Sequence, residues 1–200
     1  SCLFVWIERL LARVSDVIVA ISESQRKELA ERYRIAAPEK IRVIGLGFDL
    51  APFLSCKGRR GELRRRLGID DAPLLIGIVG RLVPIKNHRM FFDAAKLFLE
   101  HYTARPVRFV VAGDGELREE LEAYCDSLGL SGVTHFCGWI EDAPMIYADL
   151  DILALTSKNE GTPVSIIEAM ASSTLVISTN AGGVQDLVRS GDPAGPPDGL

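Results

Sequence analysis

Two stretches of the sequence gather side chains able to hold a phosphorylated ligand, and both begin where a short apolar run ends. The first reads Gly80-Arg81-Leu82-Val83-Pro84-Ile85-Lys86-Asn87-His88. Gly80 permits a tight exit from the preceding run, Pro84 restricts the turn, and Arg81 and Lys86 are the two cations ahead of the next helical pattern. A guanidinium fork and an ammonium aimed at one corner suit a diphosphate, each charge-assisted hydrogen bond contributing roughly 1.5–3 kcal/mol. The alternative is an ordinary turn with surface cations. The second stretch runs from Thr156 through Glu160, Gly161, Thr162, Pro163 and Val164 to Glu168. Thr162 before Pro163 predicts a helix start, N-cap then first helical residue, with the amides of Val164 and Ser165 pointing out of the helix end. Glu160 precedes that end and Glu168 lies about two turns beyond it. An ionised carboxylate accepts from two sugar or ribose hydroxyls at once. Ile166, Ile167, Ala169, Met170 and Ala171 leave little polar surface around Glu168, which predicts a semi-buried carboxylate with a partner.

Two further turns offer backbone rather than side chains. Gly113-Asp114-Gly115 follows an apolar run and precedes a helical pattern, so its N–H groups could approach a phosphate or a base, or Asp114 could simply cap the helix. Gly182-Gly183 is a similar turn. Asp149-Leu150-Asp151 matches the spacing of a metal-carrying carboxylate pair, but Asp149 is expected to end a helix and Asp151 to open a buried strand, which argues against that use. The four cysteines, Cys2, Cys56, Cys125 and Cys137, form no CxxC pair and the histidines do not cluster, so no zinc site, disulfide framework or other metal site is expected. That pattern fits a reducing cytoplasm.

The elements that must position these residues alternate between short β-branched runs and longer amphipathic ones. This is the pattern of a parallel sheet covered by helices. Strands are expected at residues 17–21, 41–44, 74–79, 108–112, 133–137, 152–155 and 175–178. Phe91, Ala94, Ala95, Phe98 and Tyr102 share one helical face, as do Leu117, Leu121 and Tyr124, and both stripes read as core. Residues 45–61 have no clear period and read as a linker. In and after it, Lys57, Arg59, Arg60, Arg64, Arg65 and Arg66 form a basic cluster, either a solvated helix face or a patch for an anionic membrane surface or acidic partner. Residues 191–199 read as a loop rich in Gly, Pro and Asp.

With 200 residues, 48% apolar and 25% charged, the chain can build a substantial core. Its net charge of -4 argues against nucleic acid as a partner, since duplex binding needs a basic surface. No apolar run reaches the roughly 18 residues of a membrane-spanning helix. The sequence opens without Met, in what reads as a helix already under way, and is taken as a piece of a longer protein.

Together, Gly80-Arg81 to Lys86, Gly113-Asp114-Gly115, Glu160 with seven residues before Glu168, and Gly182-Gly183 resemble glycosyltransferase family 4. These retaining enzymes have the GT-B fold of two facing Rossmann-like domains. Residues 40–53, KIRVIGLGFDLAPF, look like the segment linking the two. The resemblance implies an α/β fold: a remnant of the N-terminal acceptor-side domain at 1–44, a linker at 45–60, and a Rossmann-like parallel sheet with helices on both faces at 61–200. It implies transfer of a sugar from a UDP- or GDP-linked donor to a glycan, lipid-linked or small-molecule acceptor, with no cofactor and no metal, at the inner face of a membrane or free in the cytoplasm. Arg81 and Lys86 would hold the diphosphate beside Gly80. Glu168 would hold the ribose, and Glu160 hydroxyls of the transferred sugar. Backbone around Gly161, Thr162, Pro163 and Val164 would touch sugar or phosphate. Gly113, Asp114 and Gly115 would line the same site, and Trp139 and Ile140 would border the base. Ile85, Asn87, Ser173 and Leu175 depart from the family's usual Glu, Gly, Gly and Pro. A nucleotide-sugar epimerase of the same fold and a non-catalytic nucleotide-sugar-binding module are the competing readings.

Overall fold

The computed structural model describes residues 2–188. The chain divides into two compact units. The first takes the residues up to Gly47, the loop 160–162 and the described residues from Asn180 onward; the second takes 48–159 and 163–179.

In the first unit, helix α1 (Cys2–Val14) leads into strand β1 (Ile18–Ala20), helix α2 (Glu23–Lys27) and strand β2 (Ile41–Val43). The strands pair in parallel, Ile18 opposite Ile41 and Ala20 opposite Val43. Ser22 caps α2, its hydroxyl accepting from the Gln25 amide at 3.1 Å while Gln25 accepts from the Ile21 amide at 2.8 Å. That reciprocal arrangement satisfies amides a helix start would leave orphaned. Leu3, Phe4, Trp6, Leu11, Val19, Val43 and Ile44 are exposed.

The second unit begins with helices α3 (Ala51–Leu54) and α4 (Glu62–Leu67). It continues through β3 (Leu74–Val79), α5 (His88–His101), β4 (Val107–Ala112), α6 (Arg118–Ser127), β5 (Thr134–Gly138), α7 (Ala143–Asp149), β6 (Ile152–Leu155), α8 (Val164–Ala171) and β7 (Leu175–Ser178). The sheet is wholly parallel, in the order β5-β4-β3-β6-β7. Strands β3, β6 and β7 have the expected bounds, and the others differ by a residue or two. The apolar run dictates where a strand lies, whereas its last hydrogen bond depends on the neighbour. Central strands β3 and β4 are buried along almost their whole length, which is why they read as continuous apolar runs. Phe91, Phe92 and Ala95 of α5 and Leu121 of α6 pack on Ile78, Phe109 and Val111. Each such side chain contributes about 1.5–3 kcal/mol through burial. Next to them lies an apolar cleft of about 370 Å³, lined by Ile76, Phe98 and Ile177 among others.

Two expectations need correction. Residues 45–61 are no structureless linker: α3 and the 3-10 turn Cys56–Arg59 pack against α7. Nor is the basic cluster mainly a solvated face. Lys57 donates to the Tyr147 carbonyl at 3.1 Å, Arg59 pairs with Glu62 and Asp142, and Arg60 with Asp151. Arg64 is 1% exposed, its Nη1 bonded to the carbonyls of Asp70 and Pro73 and its Nη2 to Asp151. Arg65 and Arg66 alone of the six keep to the surface without a described partner. The loop expected at 191–199 lies outside the described residues.

Candidate functional site

Strand addition reverses at β3: β4 and β5 follow on one side of it, β6 and β7 on the other. The crevice at the carboxyl ends of β3 and β6 is therefore the topological switch point, where parallel sheets collect ligands. Residues 80–87 leave β3 there, and residues 156–159 leave β6.

The β6 exit clamps the β3 exit. Thr156 Oγ1 donates to the carbonyls of Lys86 and Asn87 at 3.2 and 3.1 Å, and the Lys158 amide donates to Ile85 at 2.9 Å. Thr179, just beyond β7, donates to the Ser157 carbonyl at 2.7 Å. On this frame Arg81 is exposed; its carbonyl accepts from the Val83 amide at 3.0 Å, and its guanidinium pairs with no described residue. Lys86 folds back across Gly80, its Cε 3.6 Å from the point where a Cβ at Gly80 would stand. That distance is ordinary van der Waals contact, so Lys86 packs directly over the Gly80 backbone. Asn87 occupies the left-handed region at φ 52°, which explains why Gly suits this position and why Asn replaces it at small cost.

Gly113 and Gly115 are glycines for a backbone reason. A Cβ on Gly113 would lie 2.0 Å from the Gly80 carbonyl oxygen, and one on Gly115 2.6 Å from that of Leu82. Their amides, expected to be open to a phosphate, are engaged: Gly113 N donates to Gly138 O at 2.8 Å and Gly115 N to Asp114 Oδ1 at the same distance. Leu82 N in turn donates to Asp114 O at 3.0 Å. Asp114 does not cap a helix, because α6 starts at Arg118 with Leu117 before it. The turns after β3, β4 and β5 are thus stitched into one floor, and Trp139 stands beside it, 72% exposed, with Ile140 buried.

Helix α8 starts one residue later than expected. Pro163 is its N-cap and Val164 its first residue, with no side-chain cap, so Thr162 is not the cap. Glu168 is half-buried on α8, and its Oε2 accepts from the Tyr147 hydroxyl at 2.8 Å. Burial raises its pKa, and the tyrosine hydrogen bond opposes the rise. Glu160, Gly161 and Thr162 belong to the first unit. There the Gly183 amide donates to Glu160 O at 2.9 Å, and a Cβ on Gly183 would stand 1.7 Å from Gly161 O. Gly183 therefore serves close backbone packing.

The sequence matches the model of the family described as glycosyl transferases group 1 over residues 59–196. The chain belongs to this family. It is 32% identical over 187 residues to the UDP-Gal:alpha-D-GlcNAc-diphosphoundecaprenol alpha-1,3-galactosyltransferase of Escherichia coli, covering 92% of this chain and 48% of that protein. To a D-inositol 3-phosphate glycosyltransferase of Corynebacterium urealyticum it is 30% identical over 192 residues, covering 92% and 45%. Among solved structures, Anabaena HepE in complex with UDP and glucose superposes with a TM-score of 0.78 at 25% identity, covering 92% of this chain and 52% of that one. The chain thus spans about half the length of the curated relatives it matches. Its α/β architecture is that of GT-B glycosyltransferases.

Several residues that frame the candidate site carried no motif. Tyr147 sits in an apolar helix, and its polar end was the one available hint of a buried partner. Asp149 ends α7, as expected, but its carboxylate accepts from the amides of Gly61, Leu63 and Arg64 at 2.6, 2.8 and 3.2 Å, capping α4 from across the chain. Asp151 accepts from the Leu75 amide at 2.9 Å. Both carboxylates of the metal-like pair are thereby committed to the fold. His88, at the start of α5, is 2% exposed with neither ring nitrogen hydrogen-bonded. Burial first, and then the Lys86 charge, press its pKa down to about 4. Among the described residues no helix is long and apolar enough to cross a membrane.

Proposed function

We propose that the intact protein is a retaining glycosyltransferase of family 4. It moves a hexosyl group from a UDP- or GDP-linked donor to a glycan, lipid-linked or small-molecule acceptor. Arg81 and Lys86, rather than a metal, stabilise the diphosphate as it leaves. The observation that carries this reading is the β3 exit loop: an exposed guanidinium and an ammonium drawn across a glycine, fixed by Thr156 at the switch point. Leaving-group charge is best met by cations already in place, since they need no reorganisation as the charge develops. Carboxylates Asp149 and Asp151 are held by backbone amides and Arg64, which favours the cationic over the metal-borne route.

Glu168, tied to Tyr147, takes the ribose hydroxyls in this scheme, and Glu160 takes hydroxyls of the transferred sugar. HepE was solved with UDP and glucose, which supports a uridine donor, and the lipid diphosphate in the name of the E. coli relative supports a lipid-linked acceptor near a membrane. The 200-residue chain alone should not catalyse transfer, because the reacting carbon and the acceptor hydroxyl must be held within about 3–3.5 Å of each other. The test is release of nucleoside diphosphate from UDP- and GDP-sugars by the intact protein, with and without acceptor, after a thermal-shift panel has selected the donor. A ligand at 100 times its Kd stabilises by about 2.7 kcal/mol. Acceptor-dependent release with an α-linked product is expected. Interconversion of the donor sugar without release would mark an epimerase, and binding without turnover a non-catalytic module.

A further inference from the structure

Glu168 has a flexible side chain in a half-buried place, and something must hold it if it is to meet a ribose. Fixing a free glutamate on binding costs rotamer entropy that a pre-held carboxylate avoids. The one hydrogen bond to its carboxylate among the described residues comes from Tyr147 Oη, 2.8 Å from Oε2. Tyr147 is itself immobilised. It is 0% exposed, its ring meets Phe53 of α3 edge-on at 5.8 Å and 65°, and its carbonyl accepts from Lys57 Nζ and Thr174 Oγ1, each at 3.1 Å.

We propose that Tyr147 is a positioning residue for the donor: its hydroxyl pins Glu168 Oε2, so that Oε1 stands ready for the ribose hydroxyls. The inference rests on the ribose assignment made above. A carboxylate oxygen has two acceptor sites, so engaging Oε2 orients the group and leaves Oε1 unspent. The bond is charge-assisted, and it favours the ionised form that burial disfavours. Phe53 and Lys57 come from residues 51–59, so the segment that opens the second unit fixes the ring that fixes the carboxylate.

The experiment is titration calorimetry of the intact protein with uridine diphosphate, or guanosine diphosphate if that binds more tightly, across Tyr147→Phe, Glu168→Gln and the double variant. Tyr147→Phe keeps the ring and its packing. Its Kd should rise roughly 3- to 10-fold, and in the Glu168→Gln background the same change should add nothing. Affinity in Tyr147→Phe should also begin to fall at a higher pH on acidification than in the wild type, because the bond that lowers the Glu168 pKa is gone. Of the groups facing this pair, Tyr147 comes from α7 and Lys57 from the 56–59 turn, and Tyr147 is the one that bears on the Glu168 carboxyl. If Glu168→Gln weakens binding while Tyr147→Phe leaves both affinity and pH profile unchanged, the positioning role is wrong and the ribose assignment stands. An equal loss from Tyr147→Phe in both backgrounds would show a general packing effect and also overturn the role. Wild-type affinity in Glu168→Gln, or a wild type that binds neither nucleotide, would overturn the ribose assignment and this inference with it.

Discussion

The two ends of the second unit's sheet receive similar cations and treat them in opposite ways. At the amino ends of β3 and β6, Arg60 and Arg64 meet Asp149 and Asp151, and Arg64 disappears into the interior. At the carboxyl end, Arg81 emerges among glycine turns whose polar groups already bond to one another, and it stays exposed. A cation's role is decided by whether the fold carries a carboxylate to it. Where one arrives, the pair holds elements together; where none arrives, as at Arg81, the guanidinium stays exposed.

The largest effect that could break this contrast is at Asp149. Replacing it with Ala removes the carboxylate acceptor of three amides at the start of α4 and leaves Arg64 buried beside one fewer carboxylate. Denaturant titration should show a loss of about 3–5 kcal/mol, as for other broken buried pairs. A loss below about 1 kcal/mol would mean the amino-end cluster is not what holds α4. Arg81→Ala should do the reverse. Its kcat should fall roughly 100-fold or more while its unfolding midpoint stays close to that of the wild type. Full activity in that variant, or abolition of wild-type activity by EDTA, would falsify the cationic route.

His88 sharpens the comparison, because it is a chargeable group at the open end that is buried with no acceptor. Its pKa, near 4 folded and about 6.5 unfolded, means that the unfolded chain takes up the proton first as pH falls. Stability from this site is complete above pH 6.5 and drains away toward pH 4. The loss approaches about 3 kcal/mol, and a His88→Leu variant should lack this part of the pH dependence. Identical acid profiles for the two proteins would show that the imidazole is not held neutral. The smallest effect concerns Ser173, just past α8, which sits at φ 54° where a glycine would be at ease. Ser173→Gly should raise stability by about 0.5–1 kcal/mol without changing activity; a loss would mean the serine side chain contributes a contact not visible in this fold.

Much of the framework was written locally. Apolar β-branched runs fixed β3, β6 and β7 to the residue: β3 is apolar throughout because both its faces are buried, whereas β7 keeps its run although Leu175 and Ile177 are exposed at the sheet edge. The order of glycine turns and charged residues after those strands identified the family, because parallel sheets present ligands at strand exits. Other features depended on partners far along the chain. Nothing near Gly113 or Gly115 says that a Cβ would strike the backbone of Gly80 and Leu82. Nothing near Arg64 says that Asp149, 85 residues away, caps its helix, and nothing near Glu168 says that Tyr147 holds it. Sequence alone determined where the strands lie and which residues follow them, for periodicity and turn propensity act over a few residues. Tertiary structure decided which charges are paired within the fold and which stay exposed, because that depends on what other elements bring within hydrogen-bonding reach.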